Sequence, residues 1–190
     1  MSAFLQHDSD GQLSIGQPAP EFDLPDTISG KNVSLDQLQG SVEALCVIFS
    51  CNHCPWVIKY EDRMIELGKS YSAKGVGFVV ISSNDVVKFP QDGPVPMMKR
   101  AALKGYPFPY LYDESQAVAH AYGALVTPHV FLFDSELKLR YRGGVDDNPD
   151  RESRPTKEYL RDALEALLMG ENNRITPDVT RAVGCSVKWK

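Results

Sequence analysis

Apolar residues in this chain fall into two patterns, short unbroken runs and stripes that repeat every three or four positions. The segment from about Glu43 to Ser50 contains the run Ala44-Leu45-Cys46-Val47-Ile48-Phe49, apolar throughout, which predicts a strand buried on both faces. After Cys54, the positions Val57, Tyr60, Met64, Leu67 and Tyr71 alternate spacings of three and four, so a helix is predicted with that stripe against a sheet. Gly77 to Ser82 reads as the next strand. The loop Ser83 to Pro96 then leads into a short helix from about Met97 to Lys104. Tyr110-Leu111-Tyr112 predicts a brief strand, and Gln116 to Tyr122 a short helix closed by Gly123. His129 to Asp134 and Leu137 to Tyr141 predict a β-hairpin turning at Asp134-Ser135-Glu136. A last helix, Pro155 to Met169, carries Leu160, Ala163, Leu164 and Leu167 on one face, with Gly170 as its C-cap. Strands and helices alternate and a hairpin follows, so the expected class is α/β, with a mixed central sheet between helices.

The flanks are more polar. Residues 1–14 read as a polar arm, and Gly16 to Pro25 has too many prolines for a helix, so it is expected to run extended over the surface. Asn32-Val33-Ser34-Leu35 predicts a short strand or turn, and Asp36 to Gln39 one helical turn ending at Gly40. Gly143 to Arg154 is turn-rich, and residues 171–190 form a tail expected to pack on or near a domain spanning 15–170. At 190 residues and 21.1 kDa, one domain with a continuous core is expected, as a monomer or homodimer. The net charge of -5 argues against a nucleic-acid or membrane-surface partner, both of which favour a basic face. No apolar stretch approaches the roughly 20 residues that span a bilayer. The N-terminus lacks the basic and apolar regions of a signal peptide, so a cytoplasmic location is expected.

The chemistry concentrates in Cys51-Asn52-His53-Cys54-Pro55-Trp56, a turn between the buried strand and the long helix. Unpaired backbone N–H groups and the positive end of the helix dipole favour a thiolate there. Two intervening residues let one helical turn bring both sulfurs within disulfide reach. Cys51 is expected to attack and Cys54 to resolve the mixed disulfide. A partly positive His53 is expected to lower the Cys51 pKa into the ~3.5–7.5 range of such motifs; the alternative is a solvent-facing imidazole with little effect. No cofactor is expected, and no metal: a structural zinc site needs four ligands, while His7, His120 and His129 are scattered. His129 either faces the cysteines or makes a backbone hydrogen bond at the start of its strand. Cys46 reads as a small buried hydrophobe. Cys185 either supplies an additional thiol or sits in a tail anchored by Val187 and Trp189. Trp56 is a docking surface or an ordinary core aromatic, and the pairs Asn84-Asp85 and Asp146-Asp147 either make substrate or ion contacts or, the favoured reading, are merely solvated.

The order of elements, with a Cys-x-x-Cys at the first strand–helix junction and Thr127-Pro128 before a hairpin, resembles the thioredoxin superfamily. The resemblance implies that Pro128 is a cis-proline facing the cysteines, and that Thr127 offers backbone groups to an extended substrate. Gly16-x-x-Ala19-Pro20-x-Phe22-x-Leu24, then Val33-Ser34-Leu35, Asp113-Glu114-Ser115-Gln116 and Tyr122-Gly123, are similar to the peroxiredoxin-like branch with its N-terminal extension. Three positions depart from these patterns. Cys51 stands where the peroxiredoxin signature has a threonine that helps hold peroxide, with Cys54 at the signature cysteine. Ser50 replaces the tryptophan before the first thioredoxin cysteine, and Leu45 its buried acid. Proton transfer is therefore left to Glu43, a solvent molecule or another group.

The resulting expectation is a thiol–disulfide oxidoreductase acting through Cys51 and Cys54, supported by His53, Thr127 and Pro128. Its partner would be a protein or low-molecular-weight thiol or disulfide. The alternatives are a thiol peroxidase and, from a different class, a redox-sensing binding protein.

Overall fold

A computed structural model describes residues 5–150, 155–171 and 174–190. Residues 1–4 of the expected arm, and 151–154 of the turn-rich stretch, lie outside the described residues. The central sheet contains β3 (Ala44–Phe49), β4 (Val76–Ser82), β5 (Tyr110–Tyr112), β7 (His129–Asp134) and β8 (Leu139–Gly143), in the order β5-β4-β3-β7-β8. β3 runs parallel to β4, and β4 to β5, whereas β7 is antiparallel to both β3 and β8. The sheet is thus mixed, with the all-buried β3 at its centre.

Both faces are covered, as an unbroken apolar run on β3 requires. On one face α2 (Pro55–Ser72), α3 (Pro94–Lys104) and α5 (Tyr159–Leu168) pack over Cys46, Ile48, Val80, Val130 and Leu132. On the other, α1 (Leu35–Leu38), α4 (Ala117–Tyr122) and the N-terminal segment cover Leu45, Val47, Phe49, Phe131 and Phe133. Glu61, fully buried on α2, takes a two-pronged ion pair from Arg100 of α3 (2.7 and 2.8 Å) and a hydrogen bond from the Tyr106 hydroxyl. A planar guanidinium matched to a carboxylate in this way fixes both helices in register.

Several boundaries and exposures differ from the sequence reading. The segment Gly16 to Pro25 is extended but does not lie over the surface. It forms β1 (Asp23–Pro25), paired with β2 (Asn32–Ser34), and buries Ala19, Phe22 and Leu24 in the second face's core. Leu13, at the end of the expected polar arm, is fully buried, and Asp8 forms an ion pair with Arg142. α3 starts at Pro94 because prolines in a first turn forfeit no hydrogen bond. α5 starts at Tyr159, not Pro155, because Thr156 and Lys157 bond to Asp147 instead of entering the helix. A further short strand, β6 (Val126–Thr127), pairs with β9 (Cys185–Ser186) in the tail.

Candidate active site

β3 delivers the chain into the cysteine turn, and Pro55 takes the first position of α2, leaving Cys54 as its N-cap. The Thr127–Pro128 peptide bond is cis, and its loop faces the turn. Both sulfurs converge on Thr127. Cys51 Sγ lies 3.4 Å from Thr127 Oγ1, and Cys54 Sγ lies 3.1 Å from the Thr127 carbonyl oxygen. Both cysteines are buried, and all four cysteines of the chain are free thiols.

The group that organises the turn is Asp92, fully buried at the end of a 3₁₀ turn, Pro90–Asp92. One carboxylate oxygen accepts the backbone N–H of Asn52 (2.8 Å) and of His53 (3.1 Å). The other accepts from the Asn84 amide (2.8 Å) and lies 2.5 Å from His53 Nδ1. Asn52 is pinned in turn by the Gln91 carbonyl and the Tyr110 hydroxyl. The His53 ring stacks on Phe89 with centroids 5.0 Å apart. His53 is therefore neither a free solvent-facing imidazole nor an isolated cation beside Cys51, because its near partner is a carboxylate.

This arrangement reverses the expected charge distribution. The hydrogen bond Cys51 gives to Cys54, its burial and the negative charge of Asp92 together push the Cys51 thiol well up. Cys54 is pushed down, to about 4, first by the hydrogen bond from Cys51, then, against the cost of burial, by the Cys185 thiol and the amides of Val57 and Cys185. The Thr127 carbonyl accepts a hydrogen bond from the Cys54 thiol, which favours a proton there and opposes these effects. The two thiols titrate together, Cys51 upward and Cys54 downward, the opposite direction to the expectation of a low-pKa Cys51.

The C-terminal tail completes the site. β9 pairs antiparallel with β6, setting Cys185 opposite Thr127 and packing it against the cluster that contains Cys51 and Cys54. Beyond it, Val187 is buried and its N–H bonds to Leu125 (3.0 Å). Asn84 and Asp85 are buried rather than solvated: the Asn84 side chain and the Asp85 backbone hold Lys188 at 2.8 and 2.7 Å. Gln116 bonds to both Lys188 and Lys190, and Trp189 stacks on His120 with centroids 4.1 Å apart.

The remaining candidates fall elsewhere. His129 accepts a hydrogen bond from the Leu125 N–H and leans on Phe131, on the opposite face of β7 from Val130 and the thiols. Burial, then the charge of Arg142, lowers its pKa to about 3, so it is neutral. Glu43 stands at the far end of β3, about 20 Å of strand away, and lines a 620 Å³ cavity with Lys74 and Arg140. It is not the proton-transfer group. Asp146 is buried in an ion pair with Arg63, while Asp147 is exposed. Trp56 is half-buried, with Lys59 over its ring. Cys51, His53 and Asp92 offer ligand atoms within 4.8 Å of one another. Yet the 2.5 Å His53–Asp92 separation is that of a hydrogen bond, whereas two ligands on one tetrahedral zinc stand about 3.3 Å or more apart.

Helices on both faces of this strand order, with the cysteine turn at the carboxyl end of β3 and a cis-proline loop opposite, are the thioredoxin-like arrangement. Within that class the chain belongs to the AhpC/TSA family, whose profile matches residues 15–142. It is similar to a solved structure described as an uncharacterized conserved protein from Geobacillus kaustophilus, with 43% identity, 93% of each chain covered and a TM-score of 0.87. A hypothetical protein from Sinorhizobium meliloti 1021 is 36% identical, covering 94% of this chain and 96% of its own at a TM-score of 0.87. Peroxidoxin BcpB from Mycobacterium tuberculosis shares the fold at 20% identity and a TM-score of 0.62, over 82% of this chain and 96% of that one. No curated protein matches the sequence.

Proposed function

We propose that this redoxin-family protein is a thiol–disulfide oxidoreductase that cycles Cys51 and Cys54 between dithiol and disulfide. The observation that carries this reading is geometric: two free thiols, with two residues between them, whose sulfurs converge on Thr127 beside the cis-proline. The Cys54 thiolate attacks one sulfur of a partner disulfide, forming a mixed disulfide and expelling the other partner sulfur as a thiolate. Cys51 then attacks the Cys54 sulfur, closing the Cys51–Cys54 disulfide, and its proton leaves with the second partner thiol. Two electrons pass from the protein dithiol to the partner. Thr127 and Pro128 position the reacting sulfurs, and Asp92 holds the turn and keeps the proton on Cys51. The partner is a protein or low-molecular-weight disulfide, and the expected setting is a reducing cytoplasm. Among the described residues no helix is long and apolar enough to cross a membrane.

Insulin reduction by wild type, Cys54→Ser and Cys51→Ser tests this. Turnover is expected only in wild type, and turnover surviving Cys54→Ser would sink the reading. A second reading, a thiol peroxidase, is favoured by the low pKa of Cys54, which stands at the family's signature cysteine. There the thiolate would attack one oxygen of a peroxide, breaking the O–O bond to give a sulfenic acid and an alcohol or water, and Cys51 would condense with the sulfenic acid, closing the disulfide and releasing water. Peroxide consumption with a supplied dithiol separates the two. Reversible oxidation with neither activity would favour a redox-sensing binding protein.

A further inference from the structure

We propose that Cys185 is a third redox thiol, which exchanges with the Cys51–Cys54 disulfide and carries the oxidised state from the buried pair toward the surface. This rests on the reading of Cys54 as the reacting thiol. Cys51, Cys54 and Cys185 all gather on Thr127: the sulfurs of the first two reach its side chain and carbonyl, Cys185 pairs with it across the β6–β9 ladder, and Cys185 packs against the cluster that contains the other two. The two flanking thiols differ in access: Cys51 is buried, while Cys185 is half-exposed. Four anchors hold Cys185 there. They are the β6–β9 pairing opposite Thr127, the bonds of Lys188 to Asn84 and Asp85, the bonds of Gln116 to Lys188 and Lys190, and the Trp189–His120 stack.

The close approach is built into the backbone. A Cβ at Gly184 would run into the Thr127 carbonyl, so glycine is what lets the tail lie flat on the cis-proline loop. The tail strand thereby takes the backbone groups of Thr127 that an extended partner would use, and presents its own cysteine to Cys54. This is the geometry of a substrate strand supplied by the chain itself.

The exchange balances without an outside oxidant. Cys185, losing its proton, attacks the Cys54 sulfur of the Cys51–Cys54 disulfide. The Cys54–Cys185 bond forms, the Cys51–Cys54 bond breaks, and Cys51 leaves as a thiolate that takes up the proton. No electrons are lost or gained overall. A dithiol or glutathione can then attack the half-exposed Cys185 sulfur, which is more accessible than either sulfur of the buried pair, and expel Cys54 as a thiolate. In the same way Cys185 can expel a glutathionyl group from Cys54 when Cys51 is absent.

The test treats the purified full chain with glutathione disulfide, followed by non-reducing peptide mapping. Cys51→Ser is expected to form an intramolecular Cys54–Cys185 disulfide and release its glutathione. The double variant Cys51→Ser/Cys185→Ser is expected to keep glutathione on Cys54. Gly184→Ala in the Cys51→Ser background should lose the Cys54–Cys185 link. The proposal is overturned if Cys51→Ser, or Cys51→Ala should the serine variant melt early, keeps glutathione on Cys54. A Cys185 linked only between molecules overturns it equally. Cys185→Ser reports separately on the parent reading: it should still form Cys51–Cys54, and failure there counts against the oxidoreductase itself.

Discussion

Cys46, in the middle of β3, and Cys54, where the chain leaves β3 for α2, are both fully removed from solvent, yet their acidities move in opposite directions. Burial alone acts on Cys46 and pushes its thiol well up. At Cys54 burial acts in the same sense but is outweighed by two neighbouring thiols and two backbone amides. The difference teaches that depth does not make a cysteine inert or reactive. What decides is whether donors are gathered around the sulfur, and here they come from the cysteine turn, the start of α2 and the tail strand.

That contrast can be broken in four ways. The largest expected effect is on turnover: Cys54→Ser should abolish insulin reduction while Cys46→Ala leaves it unchanged, measured side by side. Next is the pH response of the reduced protein. Cys54 falls to about 4 in the folded state, against roughly 8.5 in an unfolded chain. Its ionisation therefore adds stability that is fully present above the unfolded value and is lost as pH falls toward the folded one. Denaturant midpoints of the reduced protein should drop across that window, and the drop should shrink in Cys54→Ser. An equal drop in the variant would refute the shift.

A smaller effect is expected from Asp92→Asn. It removes the charge that disfavours a Cys51 thiolate and replaces one acceptor oxygen with an NH₂ group beside existing donors. A loss of about 1–3 kcal/mol in unfolding free energy is expected, together with a Cys51 that is more readily alkylated once Cys54 is replaced by serine. An unchanged alkylation rate would show that the Asp92 charge is not felt at Cys51. The smallest is Cys46→Ala, a cavity of one sulfur costing about 1 kcal/mol with unaltered redox behaviour.

The sequence made the scaffold readable because β3, α2 and the hairpin each carry a period that no loop imitates. The three-four stripe from Val57 to Tyr71 is buried as read, and Gly123 ends α4 in the left-handed conformation. The thiol turn was legible because its spacing is local. Asp92 was not: it arrives from a proline-rich loop after β4, and nothing in Phe89-Pro90-Gln91-Asp92 distinguishes a buried carboxylate from a solvated one. Glu43 is a candidate for proton transfer by its nearness along the chain, but strand geometry carries it to the far end of the sheet. The position of Cys185 was equally hidden, since pairing between β6 and β9 depends on backbone approach at Gly184 rather than on side-chain pattern. Asn84 and Asp85 read as loop polarity and Gln116 as the start of a helix, and all three gain their roles only when the tail lies against them.

The chain's two tryptophans straddle these parts: Trp56 rides on the first turn of α2, and Trp189 lies on the tail, stacked on His120. Indole emission is sensitive to what its face touches, so it changes when the stack on His120 opens. Intrinsic fluorescence therefore gives an unlabelled optical record of the tail. With Trp56 changed to Phe, emission from Trp189 alone would follow seating and release in real time, in the same cuvette in which the thiols are oxidised and reduced.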